Sequence, residues 1–175
     1  MRAAPSSRIL ASMNAPRRCY EAGHRPKFLV VVDDSEEADR ALYFAARRAS
    51  RVGATVTLLA TIAPGEFQHW FGVGEVMREE AEAEARARLA RFVARARDIA
   101  VEAEPVVRQG VEAEEIAALI AEDEDIALLV LAASSGSDGP GPLVAAIAGR
   151  AIADFPIPIA IVPAHLTDAE IDALT

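Results

Sequence analysis

Four short, almost wholly apolar runs constrain this chain most: residues 27–32 (KFLVVV), 55–62 (TVTLLATI), 126–131 (IALLVL) and 157–162 (IPIAIV). Strands of a sheet solvated on one face alternate apolar and polar residues. Continuous β-branched runs suit strands buried on both faces, as in a parallel sheet. The segments between them change period. Over 36–51, Ala38, Ala41, Leu42, Ala45, Ala49 and Val52 recur at helical spacing, with Gly53 placed as a terminal cap. Residues 75–100 read as a long helix whose sparse apolar side is Val76, Leu89, Phe92, Val93 and Ile99. Its outer face pairs Glu82 with Arg86 and Glu84 with Arg88, one helical turn apart. Residues 101–107 are a weaker strand, which Pro105 marks as an edge strand or an irregular one. Residues 112–122 form a helix with Ile116, Leu119 and Ile120 inward, and Leu143, Val144, Ile147 and Ile152 mark another. The Thr167-Asp168-Ala169-Glu170 sequence is a capping box for a last short helix.

Strands alternating with helices predict an α/β fold: a doubly wound, open, parallel five-stranded sheet with helices on both faces. The expected organisation is one domain over 27–165, a helical tail over 166–175 and a basic leader over 1–26. The leader carries most of residues 1–27's six Lys/Arg (Arg2, Arg8, Arg17, Arg18, Arg25, Lys27) against Glu21, a net +5. The whole chain is at −9, which leaves −14 on the rest. Its composition favours a disordered leader. A targeting peptide, a tail docked on the acidic body, and translation starting at Met13 are the other readings. A body this acidic repels nucleic acid and anionic membranes, and no run of 18 apolar residues reads as a membrane span. Cys19 stands alone, and three dispersed His (His24, His69, His165) give no metal-ligand spacing. No metal and a cytoplasmic location are expected.

In a parallel sheet of this kind ligands bind beyond the carboxyl ends of the strands. The loop there is a Gly-rich stretch, 134–141 (SSGSDGPG), set between an apolar strand and a helix. Those are the parts of a phosphate cradle. Yet Pro140 and Pro142 remove backbone donors, Asp138 adds negative charge, and the stretch holds no Lys or Arg. Asp33, at the end of the first strand, suits either a ligand contact or a turn cap. Asp34 reads as a second, solvated turn acid. Ser35 reads as an N-cap, since no base accompanies it as a nucleophile. Asp123, Glu124 and Asp125 read as a solvated turn, and Arg150 as a solvated helix residue. Phe67, Trp70 and Phe71 crowd three of nine aromatics into five residues, either as a local core or as a protein-partner anchor. The apolar last strand, at a sheet edge, invites pairing with another chain.

Taken in order, KFLVVVDDSEEADRAL, VTLLATI, VVRQGVEAEEIAALI, LLVLAA and PIPIAIVP resemble the universal stress protein family from Lys27 to Pro163. The resemblance implies a homodimer formed through Ile157, Pro158, Ile159, Ala160, Ile161 and Val162. It also implies, in members that bind ATP, an M-G-x2-G-x9-G-[ST] motif after the fourth strand. Aligned without gaps, those positions become Ala132, Ser135, Ala145 and Ala146, so the glycines and hydroxyl are lost. A gapped register matches Gly136, Gly139 and Gly149 instead. The nucleotide site carried over from the family comprises Val32, Asp33, Ile62, Leu131, Ala132, Ser134, Ser135, Gly136, Gly139, Ala145 and Ala146. With that motif degraded, the expectation is a non-catalytic stress-linked binding module without robust ATP binding and without a cofactor. The alternative is a member that holds AMP or ATP through the 134–141 loop.

Overall fold

The computed structural model describes residues 16–63, 73–134, 139–147 and 155–175. The apolar runs become parallel strands: β1 (Lys27–Val31), β2 (Thr55–Ile62), β3 (Ala103–Gln109), β4 (Ile126–Ala133) and β5 (Ile159–Pro163). They form one five-stranded sheet in the order β3-β2-β1-β4-β5. β3, carrying Pro105, is one edge and β5 the other, as the sequence predicts. β1 is the middle strand, pairing with β2 on one side and β4 on the other. The helices are α1 (Ala38–Val52), α2 (Val73–Asp98), α3 (Glu112–Glu122), α4 (Pro142–Ala146) and α5 (Asp168–Leu174).

Two-sided burial of the strands divides the core. Val30, Val56, Leu58 and Ala60 face α1, α2 and α5. Leu29, Leu59, Leu129 and Leu131 face α3 and α4. The α1 stripe of Ala38, Ala41, Leu42, Ala45 and Ala49 is buried, and Gly53 ends the helix at φ 72° with its N–H on the Ala49 carbonyl. Val52 leaves the stripe and is 45% exposed, and Val76 is likewise exposed on α2. Glu82 pairs with Arg86 at 2.7 Å, but Arg88 turns from Glu84 to Asp34. The reach of a long side chain across to a loop carboxylate beats the same-helix neighbour. Ile152 and the segment 67–71 lie outside the described residues.

Residues 16–26 correct the expectation of a disordered leader. They strap the amino-terminal end of the sheet. Arg17 Nη1 donates to the Ile120 and Asp123 carbonyls at 2.6 and 2.9 Å, satisfying the last turn of α3. Cys19 is buried as a free thiol whose pKa burial raises. His24 Nδ1 lies 2.6 Å from Asp125 Oδ1, and Arg25 Nη1 donates to Glu102 at 2.6 Å. The turn 123–125 is therefore a receptor for the strap and for Lys27, whose Nζ donates to Asp123 at 2.8 Å. The expected solvated turn is corrected with it.

The C-terminal helix α5 carries the full capping box: the Thr167 side chain accepts from the Glu170 N–H, and Glu170 accepts from the Thr167 N–H. Ile171 is fully buried, while Asp168 and Asp172 take Arg40 and Arg47 of α1. The tail is thus part of the core layer.

Candidate functional site

Strand order reverses between β1 and β4. The chain moves outward from β1 through β2 to β3, then crosses back to β4. A crevice forms at such a point beyond the carboxyl ends of the strands. Here it is a cleft of about 280 Å³, with Val31, Leu131, Ala132, Leu143 and Val144 as its apolar part. Asp33, Ser35, Glu37, Glu112 and Ser134 supply its polar side, and Pro140, Gly141 and Pro142 close it. Three carboxylates thus face the cleft, and its described lining contains no Lys, Arg or His.

Each acid has a local reason for its place. Asp33 follows β1 and accepts from the Ser35 N–H at 3.0 Å and from the Ser35 hydroxyl. This is a side-chain turn of the kind Asp favours. Ser35 is therefore a donor to Asp33; α1 begins after Glu37 with no side-chain cap, so the N-cap reading of Ser35 is corrected. Asp34 points the other way, to Arg88 Nε at 2.6 Å and to its Nη2. Glu112 is the first residue of α3 and accepts from Thr61 Oγ1 at 3.2 Å. A helix start favours a carboxylate, yet the Glu112 pKa is raised. Burial is the largest cause, the negative charge of Asp33 adds to it, and the Thr61 hydroxyl opposes it.

The residues carried over from the family separate in space. Asp33, Leu131, Ala132 and Ser134 meet at the cleft. Val32 and Ile62 are buried in the core on the α1 face. Ala145 and Ala146 are exposed on the second turn of α4. The start of α4 is formed by Gly141, at φ 97° as N-cap, and Pro142 at its first position. Gly139 also has φ 97° with open space around it. Ser135 and Gly136 lie outside the described residues, as do Phe67, Trp70 and Phe71. Ile157, buried, and Pro158, exposed, lie before β5 rather than on it; on β5 Val162 is buried and Ile161 is 44% exposed. Sequence reasoning missed Glu37 and Glu112. The signal was present for Glu112, the second residue past Gly110 at the carboxyl end of a strand. Among the described residues no cluster of His, Cys, Asp or Glu has metal-binding geometry.

An open parallel sheet, wound on both faces with a cleft at its switch point, defines the doubly wound α/β class. The universal stress protein family model matches residues 24–163, and the chain belongs to that family. No curated protein matches it. Its fold is similar to that of the UspA universal stress protein from Lactobacillus plantarum, at 21% identity and TM-score 0.64, covering 78% of this chain and 97% of that one. A universal stress protein from Archaeoglobus fulgidus, solved in complex with dAMP, is 23% identical with TM-score 0.56, covering 78% and 96%. A family member from Arabidopsis thaliana, solved with AMP bound, is 18% identical with TM-score 0.51, covering 79% and 91%.

Proposed function

We propose that this family member is a non-catalytic, cytoplasmic, homodimeric binding module of the stress response, whose cleft does not hold ATP robustly. The observation that carries the reading is the cleft's charge: Asp33, Glu37 and Glu112 with no cation in the described lining. A phosphate about 6 Å from one carboxylate costs roughly 0.7–3 kcal/mol at effective dielectric constants of 80 to 20. Three carboxylates multiply that cost, and Pro142 withholds an N–H from the helix start where a phosphate would sit. The described lining residues do not fit a triphosphate.

A second reading, AMP or ATP held by Ser134 and the neighbouring loop, draws support from the relatives solved with dAMP and AMP. Purifying the chain without added nucleotide, denaturing it and analysing the supernatant by mass spectrometry separates the two. The proposal expects no stoichiometric nucleotide; recovery of one nucleotide per chain would favour the second reading.

The dimer reading draws on β5, which is hydrogen-bonded to β4 along one side and exposes Ile161. Light scattering should show a dimer that Ile161→Lys weakens; a monomeric parent chain would end that part of the proposal. A protein partner for the 67–71 segment belongs to the same proposal, tested by whether Trp70→Ala abolishes a captured complex. As for location, no described helix is long and apolar enough to cross a membrane.

A further inference from the structure

The three cleft acids are not equivalent. Asp33 is engaged in its own turn with Ser35, and Glu37 sits just before α1. Glu112 is half-buried, and among the described residues its hydrogen-bond partner is one neutral hydroxyl, Thr61 Oγ1. Among the described residues no cation is paired with it. Arg108, on the strand that leads into α3, is committed to Glu122 at 2.5 Å. Arg88, next to the β1 loop, is committed to Asp34. An uncompensated carboxylate beside an apolar floor repels an anion, and half-buried it is screened by water less than a surface acid would be. At about 280 Å³ the cleft is also at the small end of ligand pockets.

We propose that Glu112 is a specificity-determining residue of this cleft: it leaves the site open to a small uncharged ligand and closes it to the same ligand carrying a phosphate. The proposal rests on the reading of the cleft as unsuited to triphosphates, and it assigns the largest share of that rejection to one side chain. Discrimination of this kind is a difference of affinities produced by a repulsive element. The burial-raised pKa of Glu112 agrees with a carboxylate that is poorly compensated where it stands.

Adenosine and AMP differ by one phosphate and are the probes. The full chain, Glu112→Gln and Glu84→Gln are titrated with each by calorimetry at neutral pH, after thermal melts show that all three are folded. Glu84 carries the same charge, exposed on α2 outside the cleft lining, and controls for net charge. The parent chain is expected to bind adenosine about tenfold more tightly than AMP. Glu112→Gln is expected to remove most of that gap by tightening AMP while leaving adenosine within about twofold, and Glu84→Gln to leave the gap unchanged. An unchanged gap in Glu112→Gln, an equal effect on both ligands, or no binding of either ligand up to millimolar concentration overturns the proposal. A parallel titration with ATP-Mg keeps the two readings apart. Tight ATP-Mg binding by the parent chain would sink the reading of the cleft, whereas an unchanged gap with ATP still unbound would sink only the role of Glu112.

Discussion

Replacing Arg17 with Ala should measurably destabilise the fold, although Arg17 lies before the segment the family model matches. Its Nη1 holds the Ile120 and Asp123 carbonyls, more than a hundred residues away in sequence, at the C-terminal end of α3. Hydrogen bonds from a charged donor contribute about 1.5–3 kcal/mol each, and a cation at a helix C-terminus about 0.3–1 kcal/mol more. Against this, Arg17 Nε is buried with no hydrogen-bond partner among the described residues, a cost of about 1–3 kcal/mol that the substitution relieves. The balance is a net loss of about 3 kcal/mol. For a chain of this length that corresponds to roughly 6–12 °C in Tm. Urea unfolding is the assay: the midpoint should fall with the slope unchanged, since the surface exposed on unfolding is nearly the same. Arg17→Lys should fall between the two, keeping the charge but losing the planar fork. Loss of less than about 0.5 kcal/mol in Arg17→Ala, the range of an ordinary surface substitution, would refute the strap as a structural element.

Three further outcomes follow from single positions. Ala100, just past α2, has φ 60°, which strains any residue with a Cβ. Ala100→Gly should raise stability by about 0.5–1 kcal/mol by thermal melt, despite the added freedom of the unfolded chain. Thr167→Ala should cost about 1 kcal/mol by removing the capping box of α5. The Glu170 carboxyl is held below its ordinary value by the Thr167 N–H and hydroxyl, so that cost should shrink as pH falls through the lowered value. Glu112 has the opposite sign: a pKa raised in the folded state means the fold binds a proton more readily than the unfolded chain. Stability from that group is present below the ordinary Glu value and is lost as pH rises through the raised one. Glu112→Gln should therefore raise Tm relative to the parent at about pH 7 and converge with it at about pH 4.

The architecture was legible because it rests on local signals. Continuous apolar runs placed β1, β2 and β4, Pro105 placed an edge, Gly53 placed a helix end, and Thr167 with Glu170 placed α5. What stayed hidden depends on pairing across the chain. The strap is written in Arg17, Cys19 and His24 meeting residues 120–125, and no periodicity reports a contact of that span. Helix spacing offered Glu84 to Arg88, and tertiary geometry gave it Asp34.

The site shows the same division. Its Gly-rich loop and Asp33 were visible as a motif and a strand end. The helix after the loop was legible from Leu143 onward, and the structure begins α4 one residue earlier, at Pro142 behind Gly141. Glu112 was missed because the cleft draws its lining from four separate stretches of chain, and the acid contributed by α3 sits about eighty residues from Asp33 in sequence.

The most direct test of the central claim is calorimetric titration of the full chain with ATP-Mg at physiological salt. An acidic cleft without a cation in its described lining predicts no saturable heat up to millimolar ATP. Saturable micromolar binding that Asp33→Ala abolishes would contradict it and make this chain a nucleotide-holding member of its family.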